Sequence, residues 1–265
     1  MTAFRMELRR NRSLTVWLGV MLLGYGAVMG AMYPVMVEND EVFKAYMASF
    51  PKELLAAFGM TGSLSDPGVF YTTYIASWLW PIMAAIAALL IGTRAVAADL
   101  DRGFLDLPLS TRVSRTRYLG ASIAGQAIVM AVLAVTAVAG VWIVGRLVDA
   151  QFDARNFALA GVLSWLFGCA IAAVATLLSV LTLSRGRAAG IVAGILVLMY
   201  LAFVVTQISA DWAWLAPISA WDHFETTPLI DSGVVPAGDM ALFAVIAIAG
   251  WVAALIAFRG RDLAA

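Results

Sequence analysis

Charge, cysteine, histidine and lysine are all scarce in this sequence. Only 13% of its 265 residues are charged, against 63% hydrophobic, and the mean hydropathy is +0.91. A water-soluble domain could hardly cover its surface with so little polar material, so the composition implies a membrane protein. The one cysteine, Cys169, has no partner for an intramolecular disulfide and reads as core packing inside an apolar run. With His223 as the one histidine, the usual zinc sites, Cys–His catalysis and a paired-histidine metalloprotease helix lack their parts. A Ser-His-Asp triad would need that same histidine, which stands beside no nucleophile-elbow sequence. The lysines are Lys44, after Phe43, and Lys52, after Pro51, so no phosphate-cradling GxxxxGK[ST] loop can be drawn. The chain is therefore expected to be non-catalytic by itself, with no cofactor of its own.

What is abundant is long apolar sequence. A helix needs about 20 apolar residues to cross roughly 30 Å of hydrocarbon, and six stretches qualify: 14–37, 69–93, 118–145, 157–183, 189–208 and 238–258. The first follows a cluster of arginines, as a signal peptide would, but it is longer than an h-region and lacks a small-x-small exit, so it reads as a retained span. The expected fold is an all-α membrane protein of six transmembrane helices, a single transmembrane domain over 1–265.

Basic residues set the expected orientation. Arg5, Arg9, Arg10 and Arg12, the five arginines from Arg94 to Arg117, and Arg185, Arg187, Arg259 and Arg261 fall on one side. Lys44, Lys52, Arg146 and Arg155 fall on the other, which places both termini in the cytoplasm by positive-inside bias.

Outside the spans, residues 1–13 put Phe4 and Leu8 one turn apart with Arg5 and Arg9 on a neighbouring face. That is the pattern of a helix lying on the inner membrane surface, leading into the first span through a bend. The first outer loop has apolar residues at helical spacing and should form two short interfacial helices broken at Pro51. The last outer loop, 209–237, carries Trp212, Trp214, Trp221 and His223; its tryptophans fit an aromatic belt or an outer gate of partly inserted short helices. Gly26 and Gly30, and Gly186, Gly190 and Gly194, have the spacing of helix-packing faces. The span centres hold no strongly ionisable group, and their polar exceptions include Gln126 and Gln207, so an ion-coupled relay lacks obvious parts.

The exception to the scarcity of charge is the segment 94–117 between spans two and three. Its order of Asp99, Asp101, Arg102, Gly103, Leu105, Leu107, Ser114 and Arg115 resembles the cytoplasmic segment of permease subunits in the type-2 ATP-binding-cassette exporter family. The opening FRMELRRNRS and the closing FRGRDL, Phe258 to Leu263, resemble that family's surface helix and its Phe-x-x-Arg-Asp ending. Phe104, Pro108 and Arg112 depart from its usual Thr, Leu and Pro, and Pro108 should kink or end a helix.

The resemblance implies a dimer of such permease chains, as homodimer or related heterodimer, above separate ATP-binding-cassette subunits that hold ATP and Mg. It implies that those subunits dock on the eight residues just named and on the surface helix. Physically, a charged non-spanning segment held between two spans can pass on rigid-body motion, and its arginines can pair with acids. The function expected is the pathway of an ATP-driven exporter in a prokaryotic cell membrane. The alternatives are a non-transporting six-span anchor or regulatory subunit and a secondary carrier. Apolar and aromatic spans, with Tyr25, Tyr200 and Trp165, suit an amphiphile, drug-like molecule, peptide or lipid better than a small ion. Nucleic acid is not an expected partner.

Overall fold

The computed structural model describes residues 3–58, 60, 62–97 and 114–260. Ten α-helices lie in this part: α1 (Ala3–Glu38), α2 (Asp40–Met47), α3 (Lys52–Ala57), α4 (Pro67–Tyr71), α5 (Leu79–Gly92), α6 (Arg115–Leu147), α7 (Ala154–Thr182), α8 (Arg185–Ile208), α9 (Thr227–Ser232) and α10 (Ala237–Gly260). Six helical stretches are long and apolar enough to cross a membrane, at Phe4–Glu38, Pro67–Gly92, Arg115–Leu147, Ala154–Thr182, Arg185–Ile208 and Ala237–Gly260. They coincide with the six apolar runs of the sequence. We call the end where α1 starts and α10 finishes the terminal face, and the opposite end the distal face.

The first span departs from expectation. Instead of a separate helix over 1–13, α1 is one uninterrupted helix of 36 residues. At 1.5 Å per residue that is about 54 Å, well beyond the roughly 30 Å of hydrocarbon. No proline or glycine falls between Arg5 and Leu18 to break it, and the Thr15 hydroxyl returns its hydrogen bond to the Asn11 carbonyl, 2.9 Å away, within the helix. The one proline of the helix is Pro34, late in the span.

Helix α7 is the centre of the bundle and packs on α5, α6, α8 and α10. Of its most apolar window 61% is buried, against 11% for α8, which therefore lies at the edge. Small residues set the closest approaches. A Cβ on Gly30 would come within 2.7 Å of the Val141 carbonyl oxygen, and one on Gly92 within 2.7 Å of the Ala175 Cβ. Gly26 and Gly30 thus seat α1 on α6, as their spacing suggested. Among the described residues, Gly186, Gly190 and Gly194 have nothing within 4 Å and form no packing face. Gln126 ties three spans together. Its Oε1 accepts from the Thr176 hydroxyl at 2.9 Å and from the Trp251 indole N–H at 3.2 Å.

Span two is discontinuous. Between α4 and α5 the chain passes through a π-helical turn, Thr72–Ala76, and a tight turn at Ser77 and Trp78. Pro81 cannot donate back to residue 77, so the α-helical ladder fails there. The Ser77 hydroxyl instead caps the Thr73 carbonyl at 3.2 Å and the Phe58 carbonyl at 3.1 Å.

Short elements cover the distal face: α2, α3, a 3-10 helix over Ala210–Ile218, and α9. Pro51 separates α2 from α3 and caps the latter, as expected from the sequence. Helix α9 is stapled to span two and α7. Asp231 Oδ1 accepts from the Gly68 N–H at 2.6 Å, Thr72 shares hydroxyl hydrogen bonds with Thr226 and Thr227, and the Asn156 amide donates to the Ile230 carbonyl at 2.9 Å.

Candidate functional site: a groove between spans two and five

The break in span two faces α8, and between them lies an apolar groove of about 340 Å³. One wall is α5 and the turn before it, with Trp78, Ile82 and Leu89; the other is α8, with Leu196, Val197 and Tyr200. Trp221 closes the distal end. It is held by Ser219, whose hydroxyl donates to the Met199 carbonyl of α8 at 3.0 Å and accepts from the Trp221 backbone N–H at 3.1 Å. The indole meets Tyr200 edge-on at 5.5 Å and Phe167 at 5.9 Å.

Beyond Trp221 and Ser77, which belong to both, a second cavity of about 210 Å³ opens toward the distal face. Its lining is mixed: Phe203 and Gln207 of α8, Thr72, Asp222 and Glu225. Burial pushes the Asp222 carboxyl above its ordinary value, against a hydrogen bond from Ser219 and the nearby His223. His223 bridges the cover to α10, with Nδ1 2.7 Å from Asp239 Oδ1 and Nε2 3.3 Å from the Pro217 carbonyl. An apolar, aromatic slot and an acidic vestibule on either side of Trp221 can together suit a molecule with both apolar and polar parts.

The sequence-derived residues divide around this groove. Tyr200 lines it, and Tyr25 packs edge-on against Trp78, 6.2 Å between rings. Trp165 is elsewhere, lining a groove between α6 and α7. Of the three tryptophans considered for a gate, Trp221 stands at the junction of the two cavities; Trp212 and Trp214 pack on each other, 6.2 Å apart, and are 47% and 62% exposed. Ser219 and Asp222 carry no periodic or motif signal in the sequence. The break at Ser77 was legible only in Pro81.

Asp99, Asp101, Arg102, Gly103, Leu105 and Leu107 lie outside the described residues. Ser114 caps α6, its hydroxyl accepting from the Arg117 N–H at 3.3 Å, and Arg115 opens that helix. On α1, Arg5 and Arg9 are exposed and Phe4 and Leu8 are half-buried, while the residues turned fully inward are Glu7 and Asn11. Glu7 pairs with Arg10 at 2.8 Å and approaches Gly125 of α6.

The entry to the charged segment is clamped. The Ser179 hydroxyl of α7 donates to the Thr93 carbonyl and accepts from the Ala97 N–H, both at 3.0 Å. Ala95 and Val96 are buried with Tyr118 and Leu119 of α6, Val180 of α7, and Ala254 and Phe258 of α10.

Six helices long and apolar enough to cross a membrane define a multi-pass membrane protein. The family model of the ABC-2 family transporter protein matches residues 4–217, and the chain belongs to that family. Comparison with curated proteins returns no match.

Proposed function

We infer that the chain is one half of the pathway of an ATP-driven exporter, with a second permease chain as the other half and ATP-binding subunits beneath the terminal face. The observation that carries the reading is the α5–α8 groove, with the vestibule of Asp222 and Glu225 on the other side of Trp221. The outer side of α8, with Gly186, Gly190 and Gly194 open, supports a missing wall that a second copy would supply. The substrate class that fits such a lining is amphiphilic: a drug-like molecule, a peptide or a lipid.

On this reading the terminal face is cytoplasmic, in a prokaryotic cell membrane. ATP and Mg are held by the partner subunit. Docking falls on the segment of Asp99, Asp101, Arg102, Gly103, Leu105, Leu107, Ser114 and Arg115, and on Phe4, Arg5, Leu8 and Arg9. Trp221 acts as the gate; Trp212 and Trp214, exposed and packed on each other, suit the aromatic belt.

The test is affinity purification of the tagged chain from its native membranes, followed by mass spectrometry. A co-purifying subunit with a phosphate-binding loop, at about one per permease chain, is the expected result; a chain that comes out alone would favour an anchor or a secondary carrier. Arg115→Glu should weaken that association while the chain still inserts, and unchanged ATPase coupling would remove the docking role from this segment.

A further inference from the structure

A groove larger than the one between spans two and five lies elsewhere in the bundle. Helices α6 and α7 leave between their distal halves a slot of about 480 Å³, to which α8 contributes no lining residue. Its walls include Val135 and Trp142 of α6 and Phe157, Gly161 and Trp165 of α7. No lining side chain carries a polar atom except the two indoles, and both are satisfied by the protein: Trp142 donates to the Phe152 carbonyl at 3.4 Å and Trp165 to the Ala127 carbonyl at 2.9 Å. The slot therefore makes no demand for water or for a polar ligand within it.

Its length is informative. On α6 it runs from Ala131 to Trp142, about 16 Å at 1.5 Å per residue, which is close to the roughly 15 Å depth of one leaflet of the hydrocarbon core. Where the slot ends, the two helices carry arginine on the same rows. Arg146 is one turn beyond Trp142 on α6, and Arg155 is three and seven residues before Ala158 and Val162 on α7. Both are exposed, and among the described residues neither has an ion-pair partner. Two acids stand in the connection. Asp153 caps α7, its Oδ1 accepting from the Asn156 N–H at 2.9 Å, and Asp149 sits in the turn at φ 60°.

We propose that this slot is a binding site for an anionic glycerophospholipid of the surrounding bilayer. One acyl chain fills the groove between α6 and α7, and the phosphate lies between the Arg146 and Arg155 guanidinium groups. The depth of one leaflet selects a chain of membrane-lipid length, and the paired arginines at its mouth select a negative headgroup. Trp142, near the mouth, lies at the level where indoles favour the interface. The proposal does not depend on the transport reading, because the slot shares no residue with the α5–α8 groove.

The test uses the full chain, delipidated in detergent and titrated with phosphatidylglycerol or phosphatidylcholine of identical acyl chains, with bound lipid counted by native mass spectrometry. The expected result is one phosphatidylglycerol retained in preference to phosphatidylcholine, with the preference reduced by salt. The double variant Arg146→Gln/Arg155→Gln should weaken phosphatidylglycerol on the order of thirtyfold and bring it to the level of phosphatidylcholine. Gly161→Leu, whose Cβ would meet Val138 at an ordinary 3.6 Å, should obstruct the slot and weaken both lipids. Equal affinity for the two lipids in the unaltered chain would overturn the proposal, as would phosphatidylglycerol binding unchanged in the double variant. A dimer that Gly161→Leu dissociates would overturn it in favour of a second copy in the slot.

Discussion

Asp231 shows how a single carboxylate can carry both a structural bond and a pH response. Its Oδ1 takes the Gly68 N–H at a point where a Cβ on Gly68 would come within 2.6 Å of the Thr227 carbonyl, so α4 and α9 meet there through backbone. Burial raises its carboxyl above the ordinary 3.8, with the Gly68 hydrogen bond pulling down and Asp66 pushing up. A raised pKa means that the folded chain holds this proton more tightly than the unfolded one. Its contribution therefore declines as pH climbs from 3.8 through the raised value. Asp40 has the opposite sign: hydrogen bonds from Lys44 and then Ser63 lower its carboxyl, so its contribution is present above 3.8 and lost as pH falls through the lowered value. Asp231→Asn should keep the acceptor and remove its part of the slope, read from thermal melts on either side of 3.8, while Asp231→Ala should cost about 1 kcal/mol at neutral pH. In the span interior, Gln126→Leu leaves the Trp251 indole without its acceptor, whereas Thr176 keeps its bond to the Ala172 carbonyl at 2.8 Å. A loss of about 1 kcal/mol in detergent unfolding is expected, with Thr176→Val costing less.

Two glycine sets with the same spacing have opposite fates at the scale of helices. Gly140 of α6 faces Ala27 and Gly26 of α1, and a Cβ there would stand 3.0 Å from the Ala27 nitrogen. Gly140→Ala should therefore destabilise the chain by about 1–3 kcal/mol. Gly190→Ala, with nothing within 4 Å, should be neutral or gain up to ~1 kcal/mol within the monomer. Thermal unfolding of both variants in the same detergent checks the contrast. The sequence could announce small-residue spacing but not which face finds a neighbour, since that depends on where α8 sits. The same limit explains α1 and span two. Hydropathy located both spans, because apolar length is a local property, but whether arginines at Arg9, Arg10 and Arg12 end a helix depends on what receives it. Here Glu7 and Asn11 turn into the bundle beside α6, and the helix continues. In span two the π-turn is a response of Thr72–Ala76 to Pro81 and to the stapled α9, contacts far apart in sequence.

For the whole molecule, the groove between α5 and α8 depends on two bodies that are held differently. The start of the charged segment is built into α6, α7 and α10 through Ser179 and the buried Ala95 and Val96, whereas α8 buries only Ala188 and Val192. The composition and charge ledger made the membrane class and span number legible, and the family motif pointed to the segment 94–117. The groove itself was not legible, because its residues are ordinary Leu, Val, Ile and Trp whose role comes from a missing neighbour. Leu196→Trp should fill that groove and lower substrate-stimulated ATPase activity of the assembled transporter severalfold, with the stoichiometry of its subunits unchanged by mass spectrometry. The Ser179 clamp also provides a clock. The Ala97 amide proton is buried and bonded to the Ser179 hydroxyl, so it can exchange with solvent deuterium only when the turn lifts off α7. Slow exchange of that amide throughout the nucleotide cycle would mean that the charged segment and three spans swing as one piece. Fast exchange in one nucleotide state would locate the hinge at Thr93–Ala97, and Ser179→Ala should make the exchange fast in every state.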